Sequence, residues 1–232
     1  DSQGNIWIGT EDAGLHKLDP RTGAIKQFLP NSGSGSISYQ NIHGLVASGN
    51  ELWIGTYEHG LDVMDLRTEK VVRHYKAGDA PNQLHSNFIV TLYKTRKNEV
   101  LIGTWTGLLK YNRATDDFTT IPGFNTQVQG ITEDDQGTIW FCSYGNGVYF
   151  YNPANNQSGN LRFDPNNSNS LCNNYVNSLY RDSRGHFWFC TENGLCSYDP
   201  RTRQFRRYDN LPDQVFRGLE HYNGWLWVST SR

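Results

Sequence analysis

The stretch Trp7-Ile8-Gly9-Thr10 reads W-I-G-T, and close variants of it recur through the whole chain. The later copies are W-I-G-T at Trp53, L-I-G-T at Leu101, W-F-C-S at Trp140, W-F-C-T at Trp188 and W-V-S-T at Trp227. Successive copies begin 39 to 48 residues apart. Strand-like sequences repeated with this period predict β-propeller blades, each built from four strands.

Each of the first five copies is followed by a second strand that begins with glycine and runs to an Asp or Asn. These strands begin at Gly14, Gly60, Gly107, Gly147 and Gly194. The Asp or Asn opens a turn such as D-P-R-T at Asp19, and Asp first with Pro second favours a type I turn. A third strand follows, with Lys and Arg interspersed where an outer edge must resist pairing with other molecules.

A further strand precedes each of the last five copies and has two apolar positions three residues apart, with a small residue between them. The small residues are Gly44, Thr91, Gly130, Ser178 and Gly218. Strands nearest the axis of a propeller crowd together, so small side chains indicate that this is the innermost strand of each blade.

The order of these strands predicts an incomplete ring. The chain opens with the Trp strand and the two outer strands of one blade, continues through four complete blades, and stops after the first two strands of a sixth. We therefore expect an all-β fold, in which residues 1–232 form a single domain that is a partial set of the blades of a larger propeller.

The charge balance and hydropathy exclude several classes of partner. Lys and Arg number 21 and Asp and Glu 23, for a formal net charge of −2, without a dense basic block. Nucleic acid is therefore not an expected partner. There is no apolar run of about 18 residues to span a membrane. The N-terminus has neither an initiator Met nor a signal peptide, which indicates a piece of a longer protein.

The four cysteines do not have the paired spacing of a zinc or redox motif. Cys142 and Cys190 stand where sister repeats carry glycine. We expect each to be a small side chain in a tight strand position and a free thiol, because equivalent positions in successive blades are too far apart for a disulfide.

The repeat unit combines N-x-[IV]-x-x-[IL], D-x-x-G-x-[IF]-W-[IF]-[GC]-T and G-L-x-x-[YL]-[DN]. It resembles the two-component regulator propeller repeat in all six units, with Leu101 replacing Trp and the two cysteines replacing Gly as the main departures. The resemblance implies the periplasmic sensor region of a hybrid two-component histidine kinase, of the kind abundant in Bacteroides-like gut bacteria. It implies a parent protein that spans the inner membrane and responds to oligosaccharides released from glycans.

The same resemblance implies that this segment is non-catalytic and needs no cofactor. Its expected partners are an oligosaccharide ligand, the remaining propeller blades and the membrane-linked domains of the parent chain, and a homodimer is left open. The turn D-Q-G-T-I-W at Asp135 also resembles the Asp-box of sialidase-type propellers. The Asp-box is a structural turn, and the arginine cluster that sialidase chemistry requires is not found in the sequence.

Candidate ligand-binding residues are those that break the repeat on one face. Loops after the Trp strand and loops entering the innermost strand share that face. In the first set of loops, aromatic and polar side chains depart from the repeat at Tyr57, His59, Trp105, Tyr144 and Asn146. Aromatic faces suit the C–H faces of sugars, and amide and imidazole groups suit their hydroxyls. Packing between blades is the alternative role for these aromatics.

A second set follows the first apolar position of each innermost strand. Its members are His43, Val90, Gln129, Asn177 and Arg217, and we take His43, Gln129 and Arg217 as ligand candidates. The guanidinium of Arg217 suits a uronic acid or sulfate, whereas a water-filled channel is the alternative role for this ring. Neither a nucleophile with its base nor a metal-ligand cluster is recognisable, so a binding module is favoured. A protein-docking scaffold and a propeller glycosidase or lyase are the competing hypotheses.

Overall fold

The computed structural model describes residues 1–208, 211, 214–220 and 223–231. Within these residues the regular structure consists of β-strands and contains no α-helix. In the part of the chain so described, no helix is long and apolar enough to cross a membrane. The chain divides into two compact units, residues 1–127 and residues 128–232, and each is described by itself below.

Unit 1 contains one three-stranded and two four-stranded antiparallel sheets. The first sheet is formed by β1 (Ile6–Gly9), β2 (Leu15–Leu18) and β3 (Ile25–Phe28). The second is formed by β4 (Ile42–Ser48), β5 (Glu51–Thr56), β6 (Leu61–Asp65) and β7 (Lys70–Tyr75). The third is formed by β8 (Ile89–Lys94), β9 (Val100–Thr104), β10 (Leu108–Asn112) and β11 (Asp117–Thr120).

Unit 2 contains two four-stranded sheets and one two-stranded sheet. Its first sheet is formed by β12 (Val128–Glu133), β13 (Ile139–Ser143), β14 (Gly147–Asn152) and β15 (Gln157–Leu161). Its second is formed by β16 (Val176–Arg181), β17 (Phe187–Thr191), β18 (Gly194–Asp199) and β19 (Gln204–Tyr208). The last contains β20 (Val215–Glu220) and β21 (Leu226–Thr230).

The predicted division into a partial blade, four complete blades and a second partial blade is confirmed. Within each sheet, every strand pairs antiparallel with the strand next to it in sequence. The first strands of successive blades pack on each other, β4 on β8 in unit 1 and β12 on β16 in unit 2. A Cβ added to Gly44 would lie 3.0 Å from the backbone nitrogen of Leu92, so this close approach excludes a larger side chain at the position.

Every one of these first strands has a β-bulge near its start. The bulge of β20 shows that the sequence-based alignment of this strand with β4 was wrong by one residue. The register shifts between Ile42 and Gly44 in β4, and between Val215 and Arg217 in β20. Phe216, not Arg217, therefore has the position of His43, and Gly218 lies one residue beyond the position of Gly44. The alignment failed because Val215, which is buried, is the first apolar residue of β20, and Phe216 is exposed.

The repeated tryptophans differ in burial. Trp53 is fully buried, and its ring lies 4.5 Å from that of Tyr111 in the next blade. Trp140 lies 4.3 Å from Phe187 in the next blade of unit 2. The repeat predicts that five tryptophans pack between blades: Trp7, Trp53, Trp140, Trp188 and Trp227. This prediction is wrong for Trp227, which is 62% exposed. Its sheet has two strands, and in the described residues no later sheet covers it.

A carboxylate in the turn before several Trp strands fixes the tryptophan. Asp134 accepts hydrogen bonds from the backbone N–H groups of Gln136 and Thr138, both at 2.9 Å, and from the indole Nε1 of Trp140 at 3.0 Å. The Asp-box aspartate is therefore Asp134. Asp135, which the sequence suggested, is exposed instead and forms an ion pair with Arg181.

Candidate functional site

The loop after the second strand of a blade is hydrogen-bonded to the segment that enters the first strand. In unit 1 the backbone N–H of Tyr57, directly after β5, donates to the carbonyl oxygen of Asn41 at 3.1 Å. The N–H of Trp105, after β9, donates to the carbonyl oxygen of Phe88 at 3.3 Å. The prediction that these two sets of loops share one face is confirmed within each of these blades.

Three aromatic rings meet where these loops converge, and we call Tyr57, Phe88 and Trp105 the aromatic cluster. The rings of Phe88 and Trp105 are stacked, with centroids 4.6 Å apart and planes at 17°. The Tyr57 ring meets both edge-on, at 5.2 Å from Phe88 and 5.9 Å from Trp105. Trp105 is 44% exposed, so a large part of its ring is available to a flat apolar ligand surface.

Polar groups border the aromatic cluster. The His43 ring, exposed in the bulge of β4, lies 5.0 Å from the Tyr57 ring. His59 stacks on Tyr39 with centroids 4.2 Å apart. Its Nδ1 is buried and has no hydrogen-bond partner among the described protein groups, and the same holds for Oδ1 of Asn41. Buried polar atoms that the protein leaves unpaired indicate an enclosed water molecule.

Unit 2 has a similar but smaller arrangement. The rings of Tyr144 and Tyr175 meet at 5.0 Å and 74°, and the two side chains are 44% and 48% exposed. The N–H groups of Gly145 and Gly147 donate to the carbonyl oxygen of Asn174 at 3.1 and 2.9 Å, and so fix the loop between them. The side chain of Asn146, in the same loop, accepts a hydrogen bond of 3.4 Å from Nη1 of Arg162.

The remaining two candidates also lie in unit 2. Gln129 is half-buried at the bulge of β12, and Arg217 is exposed on β20. The structure thus brings Tyr57, Trp105 and His43 together in unit 1, with His59 stacked nearby on Tyr39. It pairs Tyr144 with Tyr175 in unit 2. That all eight candidates line one rim stays a prediction.

Sequence reasoning missed Phe88 and Tyr175, although the repeat contains a signal for both. The residue just before each first strand is Asn41, Phe88, Gln127, Tyr175 or Gln214. Three of the five are amides and two are aromatic. Residues that depart from the repeat are the ligand candidates. If this position is included, Phe88 and Tyr175 are selected as well.

Among the residues that the structure describes, no three His, Cys, Asp or Glu side chains are grouped to hold a metal ion. The site therefore consists of aromatic surfaces bordered by amide and imidazole groups. Such a surface suits recognition of a ligand with both apolar faces and hydroxyl groups.

Residues 122–145 and 170–193 match the sequence model of the two-component regulator propeller family. The chain contains two-component regulator propeller repeats. The two matched segments include Tyr144 and Tyr175, so the aromatic pair of unit 2 lies within regulator propeller repeats.

The curated relative Histidine kinase P4 of Formosa agariphila is 31% identical over 191 residues. The match covers 78% of this regulator propeller chain and 14% of the relative, so the chain spans a small part of that protein.

Solved structures share the fold. The extracellular domain of the putative hybrid two-component system BT3049 from B. thetaiotaomicron superposes with a TM-score of 0.82 at 22% identity, over 99% of this chain and 31% of that one. Virginiamycin B lyase from Staphylococcus aureus superposes with a TM-score of 0.73 at 14% identity, over 99% and 74%. At these identities the likeness establishes the propeller fold.

Proposed function

We propose that this chain is part of the extracytoplasmic, ligand-sensing propeller of a two-component sensor histidine kinase, and that it binds an oligosaccharide. The regulator propeller repeats, the histidine kinase relative and the fold shared with extracellular domains of two-component systems support the sensor role. In this proposal the segment is non-catalytic and periplasmic. The parent protein supplies the remaining blades and the membrane-linked kinase.

The observation that carries the ligand assignment is the aromatic cluster of unit 1 with the exposed imidazole of His43 beside it. A pyranose ring presents C–H groups on its faces and hydroxyls around its edge. The exposed face of Trp105 suits the first. The exposed imidazole of His43, whose ring lies 5.0 Å from that of Tyr57, suits the second.

The pair of Tyr144 and Tyr175 is proposed as a second sugar-contacting surface. Asn146 lies in the same loop as Tyr144, and its amide offers hydrogen bonds to hydroxyls. Arg217, exposed on β20, is proposed to select acidic sugars, because a guanidinium pairs with a carboxylate or sulfate through two parallel hydrogen bonds.

Calorimetric titration with neutral and acidic oligosaccharides of plant and host origin tests this proposal. For an oligosaccharide that binds, Trp105→Ala is expected to weaken affinity by about 1–3 kcal/mol, because it removes a stacking surface. The matched control is Trp225→Ala, which truncates a tryptophan that is 69% exposed and lies outside the aromatic cluster. We expect it to leave affinity unchanged.

Other outcomes contradict the proposal in distinguishable ways. If Trp105→Ala unfolds the protein or leaves affinity unchanged, Trp105 is not a ligand contact. If no oligosaccharide in the panel binds, the protein-docking scaffold hypothesis is favoured. If chromatography of the titrated mixture shows cleaved sugars, the segment is a glycosidase or lyase.

A further inference from the structure

A cavity of about 290 Å³ opens in unit 2 beside the end of β19. Arg207 and Tyr208 of β19 form part of its wall, together with Phe163, Asn193 and Leu195. Its volume lies near the lower end of the roughly 300–1,000 Å³ that small-molecule sites occupy. The cavity is therefore large enough for about one ring-sized group.

Among the described lining residues, Arg207 is the one that has a charge. Glu192 precedes Asn193 in the chain, but it does not line the cavity, and its carboxylate accepts a hydrogen bond from the side chain of Gln214. In the part of the chain that the structure describes, the wall thus presents one positive charge and no negative charge. Such a wall attracts an anion.

Arg207 is held in place by neutral acceptors. Its Nη2 donates to the carbonyl oxygens of Asn167, Ser170 and Leu171, at 3.4, 3.3 and 3.2 Å, and to the hydroxyl of Ser170 at 2.9 Å. Its Nη1 donates to no described protein group, and Arg207 forms no ion pair with a described carboxylate. The two hydrogens of Nη1 are therefore left for a ligand or for water.

Other arginines of the chain have a carboxylate partner. Arg73 and Arg113 both pair with Glu51, at 2.5 and 3.0 Å. Arg207 is half-buried, as Arg73 is, but no described carboxylate balances its charge. A partly buried charge without a partner is costly, so an anion from outside the protein stabilises the site.

Unit 1 shows how the same position is occupied in another blade. Asp62 of β6 is the cross-strand partner of His74 of β7 there, and Cys196 of β18 is the cross-strand partner of Arg207 in unit 2. The Asp62 carboxylate is buried, lies 2.5 Å from Nδ1 of His74 and accepts the backbone N–H of Ser38 at 2.7 Å. In unit 2 a thiol replaces that carboxylate, so this position supplies no anion to Arg207.

The surroundings of the guanidinium are aromatic and apolar. Its central carbon lies 5.4 Å from the centre of the Phe163 ring, and Phe163 is 37% exposed. Tyr208 follows Arg207 in β19, and Leu195 of β18 is its cross-strand partner. A ligand in this cavity meets one cation beside apolar surfaces, which suits a single negative charge attached to a ring.

We propose that this cavity binds an organic carboxylate. The carboxylate accepts hydrogen bonds from Nη1 of Arg207, and the ring that bears it lies against Phe163 and Tyr208. One guanidinium balances a monoanion, whereas a phosphate dianion requires a second cation. A uronic acid unit and a free aromatic acid both present this chemistry, and the test distinguishes these two sources.

The turn that contains Asn193 connects the cavity to the aromatic pair of unit 2. Glu192 donates its backbone N–H to the carbonyl oxygen of Tyr175 at 3.0 Å, and Asn193 lines the cavity. A uronic acid unit at Arg207 is therefore compatible with a sugar on Tyr144 and Tyr175. Carboxylate binding at Arg207 does not require a sugar at the aromatic cluster of unit 1.

Ligand-observed NMR titration of the whole chain tests the site with two acids and their neutral counterparts. Glucuronate is compared with glucose, and benzoate with benzyl alcohol. We expect at least one acid to bind, and its neutral counterpart to bind at least about tenfold more weakly, because hydrogen bonds to an ionised acceptor are the stronger ones. The acid that binds more tightly identifies the source of the carboxylate.

Replacing Arg207 would also release residues 167–171, so the test variant leaves Arg207 in place. Asn193→Asp keeps the size of the side chain and adds a negative charge to the cavity wall. We expect it to weaken binding of the acid at least about tenfold. Asn155→Asp is the matched control, because it adds the same charge in the exposed turn between β14 and β15. It should leave the affinity unchanged.

Three results overturn the proposal. The first is that neither acid binds with a Kd below about 10 mM. The second is equal affinity for an acid and its neutral counterpart, and the third is an affinity for the acid that Asn193→Asp leaves unchanged. Because the probes are single rings, the oligosaccharide titration of the proposed function succeeds or fails independently of them.

Discussion

Tryptophan stabilises this fold only where the next blade covers it. Trp53 is fully buried, and its ring lies 4.5 Å from Tyr111 of the following blade. The guanidinium carbon of Arg73 lies 5.6 Å from the centre of the same ring. An aromatic ring contributes through the area that it removes from water, so an indole between two blades contributes far more than one at an exposed position.

We therefore expect Trp53→Ala to lower the free energy of unfolding by about 3–5 kcal/mol, through lost burial and the cavity that remains. Trp225→Ala, at a tryptophan that is 69% exposed, is expected to change it by less than about 0.5 kcal/mol. Urea unfolding followed by far-ultraviolet circular dichroism measures both. Equal losses in the two variants would contradict the assignment of Trp53 to the packing between blades.

The hairpin before a Trp strand depends on a single carboxylate. In the hairpin between β16 and β17, Asp182 accepts hydrogen bonds from the backbone N–H groups of Arg184 and His186, both at 2.9 Å, and from the indole of Trp188 at 3.0 Å. Burial raises the pKa of Asp182, but these hydrogen bonds and the nearby His186 outweigh it, and the pKa is lowered overall.

This lowered pKa predicts a loss of stability in acid. Below about pH 4 an unfolded aspartate takes up a proton that the folded Asp182 resists. The free energy of unfolding therefore falls as pH decreases through the ordinary aspartate pKa toward the lower folded-state value. We expect Asp182→Asn to cost about 1–3 kcal/mol at pH 7, because an amide is a weaker acceptor. The variant should also lose less stability than the wild type between pH 5 and pH 3.

Urea unfolding at pH 7, 5 and 3 provides the measurement. Asp135→Asn is the control, because Asp135 is a solvent-exposed carboxylate in the preceding hairpin, between β12 and β13, where it pairs with Arg181. Surface ion pairs contribute at most about 1 kcal/mol. If the free energy of unfolding depends on pH in the same way in the wild type and in Asp182→Asn, Asp182 is not responsible for the loss of stability in acid.

The chain has two compact units, residues 1–127 and 128–232. Each contains blades whose first strands pack on those of the next blade. The repeat predicts one domain, because the same sequence unit continues across residue 127.

From that prediction we expect a single cooperative unfolding transition in calorimetry. The ratio of calorimetric to van't Hoff enthalpy should be about 1 for one cooperative domain. A second scan with Trp53→Phe, which changes unit 1 alone, distinguishes one cooperative domain from two units that unfold independently. If the units unfold independently, that variant will show two transitions, of which only one has moved, and the single-domain prediction will be wrong.

Local regularities predicted most of the fold. The W-I-G-T copies, the Gly-led strands and the Asp or Asn turns each act within about ten residues, so periodicity and turn chemistry suffice to place the strands and count the blades. The small residue at Gly44 was also predicted, because crowding of innermost strands follows from the propeller geometry itself. The strands and turns depend on residues that are close in sequence, and the small residue at Gly44 depends on the crowding that all propellers have near the axis.

Contacts between distant parts of the chain could not be predicted from the local sequence. Phe88 completes the aromatic cluster although 31 residues separate it from Tyr57. The bulge that places Phe216 at the position of His43 depends on which apolar side chain of β20 is buried. A strand's pattern shows that it has an inner face, but which neighbour covers that face is settled only when the sheets pack.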